Sequence, residues 1–488
     1  MSTKTPRRPA PATAPDNSLY ESTAAHLARL IDGGTFRPHE RIPSVRNFAA
    51  QLHVSITTVL AAYRLLENKG YIEPRPQSGY FVRPPAARKA PAALPTMPAP
   101  AATPSTVSIR DLVLRVLNDA LNPSLVQLGA AIPNPKSLPT AKLNRTLARA
   151  ARLSPDRSAA YAIPPGLPEL RVQIARRALN TGCSLTPDEI LITNGAQEAI
   201  SLCLQTLCKP GDTVALESPC YYGFLQAIEA LNLKALEIPS HPRDGMSLEA
   251  LELALDQHQV AAVLSIPTFN NPLGSCMPVS KKKALVALLA PREIPLIEDD
   301  IYGDLFHAGD RPPTCKSFDR KGLVLLVDSF SKTLSPGLRV GYVAPGRYMP
   351  DLLYHKVVNS IATPTLPQMA VADFLATGGY DRHLRTLRKT LARQTRSLAD
   401  AVLRYFPPPT KTTRPHGGHV LWVQLPEPVD TLALYAKAID KGITLAPGPL
   451  FSTKSHYKNF IRLNAAFYSP QTDPHLLTLA HLVTGLMH

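Results

Sequence analysis

Apolar residues at helical spacing open the chain in three short stretches. Leu27, Leu30 and Ile31 share one face of a first helix that Gly33-Gly34 ends. Pro43-Ser44 starts a second through Ala49, Ala50 and Leu52. Val59, Ala62, Tyr63 and Leu66 mark a third, capped by Ser55 and closed by Lys69-Gly70. Two brief strands, Tyr71 to Glu73 and Gly79 to Val82, flank Arg75-Pro76-Gln77-Ser78 and read as a hairpin. Three helices and a hairpin over residues 17–83 predict a winged helix-turn-helix, in which the third helix enters the DNA major groove and the wing lies along the backbone.

Beyond residue 108 the period changes. Short apolar runs alternate with helical stretches: Glu189 to Thr193, Thr213 to Glu217, Ala261 to Ile266, Pro295 to Asp299, Leu323 to Ser329 and Arg339 to Val343. Such alternation predicts a doubly wound α/β sheet. From Met349 to His488 long helices and a few strands (Val420 to Gln424, Ile443 to Ala446, Phe460 to Asn464) predict a smaller α/β lobe. Between the two patterned regions, Pro84 to Pro104 holds seven prolines in 21 residues, a linker biased to extended polyproline geometry. The expected organisation is a disordered tail (1–16), a DNA-binding unit (17–83), a Pro/Ala-rich linker (84–108) and a large C-terminal domain (109–488). The large lobe of that domain is expected at about 159–345 and the small lobe at about 109–158 and 346–488.

Composition changes this picture little. At 488 residues, 44% hydrophobic and 18% charged, the chain can bury more than one core, and no apolar run is long enough to span a membrane. The net charge of +16 suits an anionic partner. It is spread out, however: residues 1–108 hold 13 Lys and Arg against 6 Asp and Glu, net +7, leaving +9 for the rest. The six cysteines form no CxxC pair and no zinc spacing, so no metal is expected, and they read as reduced thiols of a cytoplasmic protein.

The wording of the first unit carries more. Leu19-Tyr20, Arg41-Ile42-Pro43-Ser44-Val45-Arg46, Val54-Ser55-Ile56-Thr57-Thr58-Val59, Ala62-Tyr63, Gly70-Tyr71-Ile72 and Gln77-Ser78-Gly79-Tyr80-Phe81-Val82 resemble the GntR family of bacterial repressors and activators. The resemblance implies that Arg46 reads a base edge, that Ser55, Thr57 and Thr58 contact phosphates, and that Gly79 lets the wing approach closely. Ile56 and Leu60 stand where many relatives carry basic or polar groups.

In the large domain, Asp328-Ser329-Phe330-Ser331-Lys332 ends an apolar run, and Arg339 follows seven residues after the lysine. A pyridoxal phosphate site needs an amine to condense with the coenzyme aldehyde, and hydroxyl and guanidinium groups to hold its phosphate. Other positions after predicted strands fit the same task. Asp299 can bond the pyridine nitrogen. Tyr302 and Asn271 can bond the ring oxygen, Ala196 and Gln197 begin a helix suited to phosphate, and Tyr221 can stack on the ring. Together these elements resemble the fold type I, class I/II aminotransferases, and Glu298-Asp299-Asp300 with Asn270-Asn271-Pro272 looks like the aminoadipate and kynurenine branch. The resemblance further implies that Arg462 grips a substrate α-carboxylate and that Tyr161 reaches the neighbouring subunit's phosphate in a homodimer. His419 departs from the apolar residue usual near the substrate.

A winged helix, a proline-rich linker and an aminotransferase-like domain in one chain resemble the MocR subgroup of GntR regulators. The expected function is a DNA-binding transcription regulator of double-stranded operator half-sites that senses pyridoxal 5'-phosphate or an amino compound. An active aminotransferase, with Lys332 as its catalytic group, is the alternative.

Overall fold

The computed structural model describes residues 19–68, 70–75, 78–83, 93–97 and 103–487. The expected tail and the linker positions 84–92 and 98–102 lie outside the described residues, as do Lys69, Pro76 and Gln77. Chain contacts divide the protein into two units, residues 1–92 and 93–488.

In the first unit, helices α1 (Leu19–Asp32), α2 (Val45–Leu52) and α3 (Ile56–Asn68) precede strands β1 (Ile72–Arg75) and β2 (Gly79–Val82), which pair antiparallel. Each helix forms where its apolar spacing directs. Leu27 and Ile31 of α1, Phe48 and Ala49 of α2, and Val59, Ala62, Tyr63 and Leu66 of α3 are buried in one cluster with Ile42, Ile72 and Val82. Ser44 caps α2 by accepting the Asn47 N–H at 3.2 Å, and Ser55 caps α3 by accepting the Thr58 N–H at 3.0 Å. The wing is broader than the expected hairpin: Ile42 donates to Tyr80 O at 3.0 Å and Val82 to Glu40 O at 2.9 Å, so residues 40–42 flank β2 on its free edge.

The second unit is built on an eight-stranded sheet. Its strands are β3 (Leu191–Thr193), β4 (Thr213–Ser218), β5 (Lys234–His241), β6 (Gly245–Met246), β7 (Ala262–Ser265), β8 (Leu296–Asp299), β9 (Val324–Ser329) and β10 (Gly341–Ala344). Their order is β3-β10-β9-β8-β7-β4-β5-β6. Strands β5, β4, β7, β8 and β9 run parallel, whereas β10 is antiparallel to both β9 and β3. The parallel strands are buried on both faces, as their continuous apolar runs require. A second, four-stranded sheet joins β11 (Lys411–Thr412), β12 (Val420–Gln424), β13 (Ala446–Pro447) and β14 (Phe460–Asn464) in the order β11-β12-β14-β13. The strand expected at Ile443 to Ala446 is displaced: Ile443 bridges Val126, and the regular pairing starts at Ala446. Among the described residues, no helix is long and apolar enough to cross a membrane.

Two boundaries differ from the sequence expectation. Residues 93–97 and 103–108, assigned to the linker, are fastened to the second unit. Ser105 pairs with Ala235 of β5 and shares a hydrogen bond with Thr453 at 2.8 Å, while the Thr96 N–H donates to Gln424 of β12 at 2.8 Å. Val107 and Ile109 are buried in its core. Helices Thr140–Leu153 and Thr365–Ala376, assigned to the small lobe, instead pack with Pro168–Ala178 in a cluster shared with Ile192 of the large sheet and Phe330, the residue after β9. Apolar side chains on those helices read alike toward either sheet, so periodicity could not assign them.

Candidate functional site

At the C-terminal ends of the parallel strands lies a cavity of about 430 Å³, the place where open α/β sheets present ligands. Eight of the predicted cofactor residues line it: Ala196, Gln197, Tyr221, Asn271, Asp299, Tyr302, Lys332 and Arg339. Strand β8 ends on Asp299, β9 leads into the Lys332 turn, and the segments after β4 and β7 carry Tyr221 and Asn271.

Lys332 donates to Ala131 O at 2.6 Å. Burial, joined by the Arg462 and Arg339 cations and opposed by Asp299, brings its ammonium down to about 8. Below that pH the amine is protonated and cannot attack an aldehyde; above it the lone pair is free. The rate at which coenzyme-free protein captures pyridoxal phosphate, followed by visible absorbance, is therefore expected to rise through pH about 8 and level off well below the 10.5 of an ordinary lysine.

Asp299 is 2% exposed, and burial with the neighbouring Asp300 and Glu298 charges raises its carboxyl to about 7. One oxygen accepts the Ile301 N–H at 3.1 Å. A cationic ring nitrogen is the group such a carboxylate requires to remain ionised. Tyr302 is fully buried, which raises its phenol well above the ordinary value.

One wall of the cavity is the start of a helix. Helix Ala196–Leu207 starts without a side-chain cap, which leaves its first N–H groups directed outward as an anion site. Gly195 makes this possible. At φ +81° it takes a conformation that L side chains rarely adopt, and an added Cβ would sit 2.5 Å from the Arg339 guanidinium, which donates to Asn194 O at 2.9 Å.

Three predicted positions fall outside the cavity. Ser329 is buried behind it, bonded to Ser331 at 2.7 Å and Val340 O at 3.2 Å; Ser331 is the hydroxyl on the wall, with Arg339 Nη1 at 3.5 Å. A chain step of two keeps both serines on one side of the turn, and spacing alone does not say which faces the ligand. Tyr161 is 76% exposed and does not line the cavity. Arg462, on β14, is fully buried beside the site: Nη1 donates to Asn271 Oδ1 at 2.9 Å and Nη2 to Gly129 O at 2.7 Å. Its Nε has no partner, and it forms no ion pair among the described residues. A buried guanidinium without a counter-anion is prepared to receive a carboxylate.

Sequence reading missed Ala130, Ala131 and Ile132, and Leu117, Ala120 and Leu121 of helix Arg110–Leu121, which line the cavity. None of these carries a chemical signature. His419 stands 5.5 Å from the Tyr302 ring, fully enclosed. Burial and then the Lys332 and Arg462 charges lower it to about 3, so it is neutral.

On the first unit, Arg46 projects from α2, exposed and without a partner among the described residues. Ser55, Thr57 and Thr58 form one hydroxyl cluster at the start of α3, with both threonine hydroxyls 2.7 Å from Ser55 Oγ; the Ser55 oxygen is engaged as the helix cap. Ile56 beside them is 54% exposed. Gly79 has φ +97°, and a Cβ there would meet the Arg41 guanidinium at 3.2 Å.

The doubly wound sheet, the lysine-bearing turn and the cavity define an aminotransferase-like domain, here in one chain with a winged helix-turn-helix. Comparison with known proteins agrees: residues 132–478 match class I and II aminotransferases and residues 19–82 match the gntR family of bacterial regulatory proteins. The chain belongs to the GntR family of DNA-binding transcription regulators, in the MocR subgroup that carries an aminotransferase-like domain. It is 40% identical to the uncharacterized HTH-type transcriptional regulator YdcR of Escherichia coli, over 92% of this chain and 95% of that one. Among solved structures it resembles the α-aminoadipate aminotransferase LysN of Thermus thermophilus, complexed with N-(5'-phosphopyridoxyl)-L-leucine (TM-score 0.71, 27% identity, 77% of this chain and 95% of that one). It also resembles the multiple substrate aminotransferase of Thermococcus profundus (TM-score 0.72, 26% identity, 77% and 95%).

Proposed function

We propose that this regulator binds pyridoxal 5'-phosphate in the cavity of its second unit and reports an amino compound to its DNA-binding unit. The observation that carries the reading is the convergence of an amine near neutrality (Lys332), a buried acid (Asp299) and an uncapped helix start (Ala196) on one cavity, in a chain that also bears a winged helix. When bound, the coenzyme supplies an aldehyde that condenses with amines and a ring that accepts electron density. Lys332 holds it covalently, and Asp299 keeps the ring nitrogen protonated. Asn271 and Tyr302 orient the ring oxygen, and Tyr221 packs on the ring. Ala196, Gln197, Ser331 and Arg339 hold the phosphate, with Ser329 bracing Ser331 from behind. Arg462 receives the effector's α-carboxylate through its two-pronged fork.

DNA recognition rests on Arg46 at a base edge, the Ser55, Thr57 and Thr58 cluster at phosphates, and the close approach that Gly79 allows the wing. The protein acts in the cytoplasm as a homodimer, with Tyr161 reaching the partner's phosphate site. Exposed apolar side chains at Ile163, Tyr354, Val358 and Ile361 support burial of that kind. Transmission to DNA uses the fastened end of the linker. Ser105 is bonded both to β5 of the large sheet and to Thr453, so a shift between these elements moves the chain that leads to the DNA-binding unit.

The competing aminotransferase reading is separated by turnover. Full-length protein with pyridoxal phosphate, 2-oxoglutarate and a panel of amino acids is expected to transfer no more than about one amino group per subunit. Repeated rounds that vanish in Lys332→Ala would make it an enzyme.

A further inference from the structure

The longest helix of the second unit, Gly379–Tyr405, carries seven lysines and arginines against two acids. Six of these cations, Arg382, Arg385, Lys389, Arg393, Arg396 and Arg404, are exposed. At 3.6 residues per turn these six fall within an arc of about 100°. The opposite face, Leu384, Leu387, Leu391, Leu398 and Val402, is buried in the core. None of the six makes an ion pair or a side-chain hydrogen bond among the described residues. Both acids of the helix are engaged elsewhere, Asp381 by Arg177 at 2.8 Å and Asp400 by Arg414 at 3.2 Å. A solvated helix face ordinarily mixes signs, because like charges three and four residues apart destabilise the helix. Here Arg382–Arg385, Arg385–Lys389, Lys389–Arg393 and Arg393–Arg396 are all such pairs. The arrangement is unfavourable in isolation and is relieved by a polyanion.

We propose that this stripe is a second DNA-binding surface, which grips the phosphate backbone of duplex DNA beyond the bases read by the winged helix. Three features favour DNA over other polyanions. From Arg382 to Arg404 the stripe rises about 33 Å at 1.5 Å per residue, close to the roughly 34 Å of one duplex turn. Five of its six cations are arginines, whose planar fork matches phosphate oxygens. The helix has no free apolar face with which to enter a bilayer, since that face is already packed in the core. Contacts of this kind would add affinity and salt dependence without sequence preference.

The test uses full-length protein and operator half-sites obtained by selection from random duplexes. Binding is followed by fluorescence anisotropy across a salt series, on a duplex limited to the half-sites and on the same duplex extended by about fifteen base pairs at each end. The extended duplex is expected to bind at least about tenfold more tightly at moderate salt, with a steeper salt slope. Arg385→Gln/Lys389→Gln/Arg393→Gln is expected to reduce that slope by about 2.7, at about 0.9 per lost cation, and to remove most of the gain in affinity. Binding to the short duplex and the visible absorbance of bound coenzyme should stay unchanged, and the latter also reports that the variant is folded. A charge-preserving variant, Arg385→Lys/Arg393→Lys, should keep most of the gain. Equal affinity and slope for the parent and the triple variant on the extended duplex would overturn the proposal, as would equal losses on both duplexes. Stripe-dependent binding to phosphatidylglycerol vesicles with no effect of duplex length would assign the surface to a membrane and overturn it as well.

Discussion

Lys332→Ala is expected to leave a protein that still binds its operator but no longer retains pyridoxal phosphate through dialysis and no longer responds to any amine. In the proposed site this residue is the covalent anchor: it is the only lysine on the cavity wall among the described residues, with its amine held near Ala131 O. The remaining contacts, at Ala196, Asp299, Asn271 and Arg339, would still attract the coenzyme. Its affinity should nevertheless fall by at least about a hundredfold, or roughly 2.7 kcal/mol. Equilibrium dialysis with absorbance detection measures the loss. DNA affinity of the ligand-free protein should move by less than about a factor of two, because the substitution removes no side chain from the winged helix. Operator binding that collapses together with coenzyme retention would show that Lys332 holds up the fold rather than the ligand.

The second large effect is at Arg462. Replacement by leucine removes a fully buried guanidinium and strands two acceptors, Asn271 Oδ1 and Gly129 O. Truncating one partner of a buried, hydrogen-bonded charge contact costs about 2–5 kcal/mol, so the concentration of amino acid needed for half-maximal response should rise by roughly thirtyfold or more. The corresponding amine without its carboxylate should be little affected, and that contrast separates loss of a carboxylate site from general damage. Arg462→Lys restores the charge but not the fork and should recover only part of the response. An equal shift for the amino acid and its decarboxylated counterpart would remove Arg462 from effector recognition.

Much of this site was legible because its chemistry depends on residue type at strand ends. Lys332, Asp299, Asn271 and Tyr302 each follow an apolar run that could only be a buried strand, and the order of those runs brings them to one edge. Ser331 was hidden by Ser329, an equivalent hydroxyl two residues away. Strand β5 escaped notice because Glu237 and Ser240 interrupt its apolar run. The structure shows why Glu237 is tolerated: it is buried but accepts from Ser218, Ser452 and Thr453, partners more than a dozen residues distant in sequence. The docked end of the linker was equally unreadable, since proline-rich sequence looks extended whether it is free or laid along a sheet edge. In the first unit the helices were legible from periodicity and caps alone. The third wing segment at residues 40–42 was not, because it pairs only through isolated backbone hydrogen bonds.

The proposed sensing requires that coenzyme state and operator affinity be linked through one cavity. That linkage is measured by titrating coenzyme-loaded protein with a panel of amino acids while recording visible absorbance and operator anisotropy in the same cuvette. At least one amino acid is expected to shift both signals with a common midpoint, and Lys332→Ala is expected to show neither shift. A protein that stays colourless after incubation with excess pyridoxal phosphate, or whose absorbance changes while operator affinity does not, would contradict it.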